Sequence, residues 1–333
     1  MVVVRRLCIS PNQLPVTTPM TTPIQHALMD STDTILSGFG KLGYIASEPI
    51  ATAVYLAYQL NKPILVEGPP GVGKTELAKT AAEYLSLPLV RLQCYEGLDE
   101  AKALYEWKYG KQLLYTQVLK EQLGDILKGA KGLAESIDRL HQFGDIFYSE
   151  EFLEPRPLLK AMREENGAVL LIDEIDKADF EFESLLLEIL SDFQVSVPEI
   201  GTVKAKHKPL VILTSNNTRD ISDALKRRCL HLYIPFPTRD LENEIIKTRV
   251  PEASEHLRLQ LVNFIQNVRE LDLKKAPAVS ETIDWARSLV LLHADKLDKD
   301  VVEKTLSVIL KFEDDIETAN REIRALLSGI DNQ

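Results

Sequence analysis

Apolar residues in this chain follow two regimes. Over the first two thirds, short near-continuous apolar runs alternate with stretches of helical spacing. The runs are PILVE (Pro63–Glu67), LVRLQ (Leu89–Gln93), AVLLID (Ala168–Asp173), PLVILTS (Pro209–Ser215) and HLYIPF (His231–Phe236). Runs with so little alternation suit strands of a parallel sheet buried on both faces. Between them, Pro49–Leu60, Thr75–Leu85 and Phe182–Leu190 place apolar residues at helical intervals. QVSVPEIGTVKA (Gln194–Ala205) alternates on both sides of PEIG and predicts a β-hairpin. Strands interleaved with helices predict an α/β fold with a five-stranded parallel sheet sandwiched by helices. From Thr238 onward every segment is helical in period, so an all-α region follows.

Boundaries come from the breaks in this pattern. Pro11, Pro15, Pro19 and Pro23 punctuate a threonine-rich start with no hydrophobic period, and residues 1–30 read as a flexible leader. Residues 31–237 form the α/β unit. It holds a polar, helical insert at about 99–150, interrupted by Gly124, Gly129 and Gly132, and the hairpin at about 194–205. Residues 238–333 form the helical lid.

Composition narrows the class. The 333 residues allow two domains, on a prior of about 150 residues each. Apolar residues make up 45% and charged residues 27%, which excludes a mostly disordered chain. The net charge of −11 gives no global footprint for nucleic acid or an anionic membrane. No apolar run approaches the roughly 18 residues of a membrane span. The apolar start is too short for a signal peptide, and Arg5 and Arg6 follow it rather than precede it, so a cytoplasmic location is expected. Cys8, Cys94 and Cys229 are few, odd in number and far apart, which argues against disulfides or zinc.

The chemistry sits at the ends of the strands. Gly68-Pro69-Pro70-Gly71-Val72-Gly73-Lys74-Thr75 fits GxxxxGK[ST] between a strand and a helix. Its glycines let backbone N–H groups turn around a phosphate, and the following helix aims its positive end at the same point. With the adjoining Glu76, these are the candidate nucleotide-binding residues. Lys74 reaches the β- and γ-phosphates, and the Thr75 hydroxyl suits magnesium. AVLLIDEID ends a strand in two acids. Asp173 suits the metal, and Glu174 suits a base that deprotonates an attacking water, favouring hydrolysis over transfer to an acceptor. Asn216, in Thr214-Ser215-Asn216-Asn217, is placed to position that water, although an Asn-rich strand-to-loop turn explains the same residues. Ala224-Leu225-Lys226-Arg227-Arg228-Cys229 offers a guanidinium for transition-state charge; from charge alone a solvated basic turn, or a local polyanion patch, is the stronger reading.

The ordered set GPPGVGKT, VLLIDEID, TSNN and ALKRRC, followed by helices, resembles the AAA+ ATPases over about residues 40–310. The hairpin before the third motif resembles the branch with an insertion before sensor 1, and the whole looks like the MoxR subfamily. YEGLDEAKALYEWKYGKQLL (Tyr95–Leu114) and PAVSETIDWARSL (Pro277–Leu289) look closest to its CoxD-like members. By motif position the resemblance implies Walker A at Gly68–Thr75, Walker B at Asp173 and Glu174, sensor 1 at Asn216, and an arginine finger at Arg228 with Arg227 its rival. It implies ATP and Mg2+ as cofactors and a ring, most often a hexamer, in which the finger serves a neighbouring subunit. For MoxR relatives it also implies a von Willebrand factor A-domain partner and a client protein. For CoxD-like members it implies maturation of a metal centre in a molybdenum hydroxylase.

One departure stands out. Many such lids carry a sensor 2 arginine where this chain reads Ala278-Val279-Ser280-Glu281-Thr282; Arg287 lies almost two turns on, and Ser280 reads as a helix cap. Gln93, at a strand tip, is a candidate to hold Glu174 inactive until a partner binds. Tyr105, Trp107, Tyr109 and Tyr115 read as packing or a partner surface. The alternative function is a nucleic-acid motor or loader, supported by Lys204, Lys206 and Lys208 beside the hairpin and opposed by the acidic charge.

Overall fold

The computed structural model describes residues 28–126, 148–198 and 200–328. Helices α1 (Thr32–Lys41) and α2 (Glu48–Leu60) lead into strand β1 (Ile64–Glu67), and helix α3 (Lys74–Leu85) leaves the glycine loop after it. There follow β2 (Leu89–Gln93), the one-turn helix α4 (Glu100–Ala103), β3 (Tyr105–Trp107) and the long helix α5 (Tyr109–Ile126). Next come β4 (Leu153–Pro155), α6 (Pro157–Arg163), β5 (Val169–Asp173) and α7 (Phe180–Asp192). Hairpin strands β6 (Gln194–Val197) and β7 (Gly201–Lys204) precede β8 (Leu210–Ser215), the short helix α8 (Asp223–Arg228) and β9 (Leu230–Tyr233). The chain continues as α9 (Arg239–Arg249), α10 (Glu255–Arg269), α11 (Val279–Leu291), α12 (Lys299–Ile309) and α13 (Glu313–Ser328).

The expected five-stranded sheet is borne out. Its order is β2-β5-β8-β1-β9 and every neighbouring pair is parallel. A strand sends successive side chains to opposite faces, and both faces are dry here. Leu65, Leu170, Ile172, Val211 and Leu213 pack into one core with α6 and α7. Their sequence neighbours Ile64, Val66, Val169, Leu171 and Ile212 pack into the other with α1, α2 and α3. The near-continuous apolar runs are the signature of that two-sided burial.

Register positions the chemistry. Val66 and Glu67 lie opposite Thr214 and Ser215, and Ile172 lies opposite Leu213. The carboxyl ends of β1, β5 and β8 therefore finish side by side. In open parallel sheets, ligands bind in the crevice beyond those ends.

The helices after β9 have their own core, centred on Leu261, Phe264, Trp285, Ala286, Leu306 and Ile323. The buried Trp285 indole donates to the Thr305 hydroxyl at 2.8 Å. A buried polar network ties α9, α10 and α11 together. The Glu242 carboxylate accepts two N–H groups of Arg269, both at 2.7 Å, and the Thr282 hydroxyl at 2.9 Å. Arg269 also lies over the Phe236 ring and donates to the Pro277 carbonyl. A buried charge pair is tolerable only when its remaining donors and acceptors find partners, and these do.

Two differences from the sequence reading emerge. Residues 1–27 of the leader lie outside the described residues, but its last residues are docked: Met29 is buried, and the Leu28 and Met29 carbonyls accept from Tyr84 and Gln59. The insert is more than helical, because β3 and β4 pair as an antiparallel ribbon; residues 127–147 lie outside the described residues. Tyr105 and Trp107 pack edge to face, Trp107 meets Tyr148, and Tyr115 meets Phe152, whereas Tyr109 is exposed.

Candidate functional site

A cleft of about 480 Å³ opens beyond the strand ends, between the glycine loop and the helices after β9. That volume falls in the range of about 300–1,000 Å³ for small-molecule sites. The loop itself requires glycine at two places. Gly68 has φ +150°, and a Cβ there would run into the Ile234 carbonyl. Gly71 has φ +73°, and a Cβ there would strike Ala278 and the Ser280 hydroxyl. Gly73 forms the left-handed residue before α3. Along α3 the first backbone N–H to find a carbonyl is that of Leu77, on Gly73 at 3.0 Å. The N–H groups of Lys74, Thr75 and Glu76 are thus the orphan donors of a helix start, suited to an anion.

Side chains from three elements, α3, β5 and β8 with the residues that follow the two strands, meet at this loop. The Lys74 ammonium donates to the Gly68 and Pro69 carbonyls, each at 2.7 Å, and to Asn216 Oδ1 at 2.8 Å. Burial pushes its pKa below the ordinary lysine value, against the pull of Asp176, Asp173 and Glu174. The Asn216 amide then donates to Glu174 Oε1 at 3.3 Å, so one side chain links the cation to the carboxylate. Thr75 Oγ1 donates to Asp173 Oδ1 at 3.1 Å, and Thr214 Oγ1 donates to the same oxygen at 2.5 Å. Asp173 is buried at the end of β5. Glu174 follows it in the left-handed region, φ +57° and ψ +52°, with its N–H held by Thr214 Oγ1 at 2.9 Å. A non-glycine residue in that region costs about 1–3 kcal/mol and persists where its surroundings enforce it. The turn swings the Glu174 carboxylate out of the strand line toward the loop.

Beneath this pair, Asp176 Oδ2 accepts from the N–H and hydroxyl of Thr218, at 3.0 and 2.6 Å, and from Asn216 N–H at 3.3 Å. Burial works to raise its pKa, but these hydrogen bonds prevail and hold it below the ordinary range. Asp176 therefore anchors the turn that carries Asn216.

The sequence-derived residues Gly71, Lys74, Thr75, Glu76, Asp173, Glu174 and Asn216 all line the one cleft, with Pro70, Val72 and Gly73. Gly68 and Pro69 enter through their carbonyls. Arg228 does not join them: it is exposed at the end of α8 and donates to the Ser191 hydroxyl, and Arg227 beside it is exposed too. Ser280 is corrected. It lies two residues inside α11, whose first residue is Val279, and the end of that helix is satisfied by Glu281 Oε2 accepting from Ala278 N–H at 2.7 Å. The Ser280 N–H meets the Gly71 carbonyl instead, at 3.3 Å.

Several groups escaped the sequence reading. Arg91, on the same face of β2 as Gln93, donates to Asp173 Oδ2 and to Gln93 Oε1, both at 2.6 Å. Gln93 Nε2 in turn donates to Glu174 Oε2 at 3.0 Å. The alternation of Arg91 and Gln93 along a strand ending beside Asp173 was the available signal. An apolar wall of Tyr44, Ile45, Ile50, Phe236, Leu241, Ile245 and Ile283 completes the cleft. Burial raises the Tyr44 pKa, and Glu76 adds to the effect. These residues belong to no chemical motif, and only the fold unites them.

The oxygen-rich corner at Thr75 and Asp173 fits magnesium, a hard cation that takes one or two protein oxygens and otherwise phosphates and water. Among the described residues no group of three or more His, Cys, Asp or Glu forms a rival metal site. No helix there is long and apolar enough to cross a membrane.

Known proteins resemble this chain at several levels. An uncharacterized protein of Staphylococcus epidermidis is 29% identical over 283 residues, covering 82% of this chain and 91% of its own. A Staphylococcus aureus counterpart is 28% identical over the same shares. Among solved structures, the Thermotoga maritima RuvB Holliday junction branch migration motor covers 91% of this chain and 85% of its own at 19% identity and TM-score 0.45. A point mutant of Thermotoga maritima RuvB, also 19% identical, reaches TM-score 0.47 over 86% of this chain and 81% of its own. The family model described as AAA domain, dynein-related subfamily, matches residues 63–229, half the chain, from the residue before β1 to the residue before β9. That span holds four of the five sheet strands and the glycine loop, and the chain accordingly belongs to that AAA family.

Proposed function

We propose that this protein is a magnesium-dependent ATP hydrolase that acts as a ring, a hexamer by resemblance, and uses turnover to remodel or mature a partner protein complex. The observation that supports it is the linked set Lys74–Asn216–Glu174, with Thr75 and Asp173 beside it. It gathers a cation, a water-orienting amide, a base and two metal-side oxygens around one anion-binding loop.

The apolar wall around Ile45 and Phe236 takes the base, and the N–H groups of the loop and of α3 take the phosphates. Lys74 exchanges the Gly68 and Pro69 carbonyls for phosphate oxygens. Thr75 and Asp173 would hold magnesium, which would supply Lewis-acid stabilisation of phosphate charge. Asn216 orients the attacking water and Glu174 accepts its proton. Arg228 of the next protomer spreads the developing charge. Gln93 restrains Glu174 until a partner binds. The MoxR-type role rests on the hairpin before β8 and on the Tyr95–Leu114 segment. It brings a von Willebrand factor A-domain partner and a client, for CoxD-like members a molybdenum hydroxylase.

Steady-state ATP turnover tests this reading. Glu174→Gln should cut kcat by about 10²–10⁴-fold with nucleotide binding intact, and unchanged turnover rejects the assignment. In the same assay Gln93→Ala should change the response to a partner; no change removes the restraint. Turnover stimulated by DNA and falling steeply with salt would replace protein remodelling with a nucleic-acid role.

A further inference from the structure

The lining of the cleft holds three acidic side chains, Glu76, Asp173 and Glu174, and two basic ones, Lys74 and Arg249. The two cations come from opposite sides. Lys74 stands at the start of α3, and Arg249 is the last residue of α9, the first helix after the sheet. The other part of the helical region at the loop is the start of α11, and it brings Ala278 and Ser280 against Gly71 without a charge.

Glu76 connects the two sides. Its backbone N–H is among the orphan donors of α3, so its carboxylate is rooted one side chain away from the phosphate cradle. Left alone, that negative charge would repel a polyphosphate; Lys79, one turn further along α3, already pairs with its Oε2 at 3.4 Å. Arg249 Nη2 donates to Glu76 Oε1 at 3.1 Å, and the two side chains are 38% and 34% exposed. A guanidinium carries five N–H donors in a planar fork matched to carboxylate and phosphate alike. The contact to Glu76 leaves donors over for a second anion.

We propose that Arg249 is a binding residue for the phosphate chain of the nucleotide, shared between Glu76 and the ligand. This rests on the nucleotide reading of the cleft. It assigns to the end of α9 a contact that the start of α11 has no cation to make.

The rival explanation is that Arg249 does no more than neutralise Glu76. A double-mutant cycle separates the two. The probes are N-methylanthraniloyl-ADP and N-methylanthraniloyl-ATPγS with Mg2+, read by fluorescence, with a thermal melt confirming that each variant folds. Arg249→Ala should weaken both probes about tenfold, the scale of a hydrogen bond to a charged group. In a Glu76→Gln background, where no charge remains to neutralise, Arg249→Ala should still weaken them about fivefold or more. Arg249→Lys, which keeps the charge and loses the fork, should recover part of the affinity. If Arg249→Ala costs nothing once Glu76 is Gln, the proposal is overturned. Lys74→Ala serves as the separate control: if it and the wild type give the same weak signal, the nucleotide reading itself fails.

Discussion

Glu174 shows how much of this site depends on single backbone angles. The residue leaves β5 through the left-handed region, and its N–H is pinned by Thr214, whose hydroxyl also holds Asp173. One threonine thus fixes both acids. Lys74 is the second such residue. Burial depresses its pKa, so on raising the pH it loses its proton earlier than an ordinary lysine. A bound polyphosphate favours the ammonium and raises the value again, so binding takes up a proton. Nucleotide affinity should therefore be flat near neutral pH and fall as pH rises through the depressed value, before the ordinary 10.5. Fluorescence titrations across alkaline pH check this, and Lys74→Arg, which cannot deprotonate there, should flatten the decline. Residues tied to a fixed spacing, such as Lys74, Thr75, Asp173 and Glu174, were legible in the sequence because their chemistry dictates that spacing. Arg91 and Arg249 were not, because their partners Asp173 and Glu76 lie 82 and 173 residues away.

At the scale of elements, legibility follows burial. The interior strands β1, β5 and β8 announced themselves because both faces are apolar, as in Val169–Asp173, where all five residues are buried, whereas the edge strands β2 and β9 alternate buried with exposed residues. The β3–β4 ribbon did not. Each strand has three residues, and Tyr105 pairs with Pro155 across the whole insert. So short a strand offers no period to read. The apolar wall of the cleft was equally silent, since Ile245 and Ile283 look like any core residue of an amphipathic helix. The same logic grades substitutions. Leu171→Ala, in the interior strand β5 and fully buried, should cost about 2–5 kcal/mol in denaturant unfolding. Leu291→Ala, at a position 79% exposed, should stay within about 0.5 kcal/mol.

Across the whole molecule, the groups to which we assign turnover are split. Lys74, Asp173, Glu174 and Asn216 share one cleft, whereas Arg228 stands exposed and apart from it. A head-to-tail ring would bring that arginine to a neighbour's cleft. Subunits carrying Arg228→Ala and subunits carrying Glu174→Gln should each be nearly inactive alone. Mixed, they should regain a measurable fraction of ATP turnover, because some clefts then receive an intact base and an intact guanidinium. Absence of any recovery, with mixing verified by native mass spectrometry, would place catalysis within one chain.

The contact between Gly71 and Ser280 has a mechanical consequence. The glycine loop touches α11 at its very first turn, where the Ser280 N–H meets the Gly71 carbonyl and the small Ala278 and Ser280 side chains lie against Gly71. Thirteen residues at 1.5 Å each give α11 a reach of about 20 Å. Pivoting by about 10° at Gly71 would then carry its far end through roughly 3 Å. A fulcrum at the loop would convert a slight change in main-chain shape into a displacement of several ångströms at the far end of the helix.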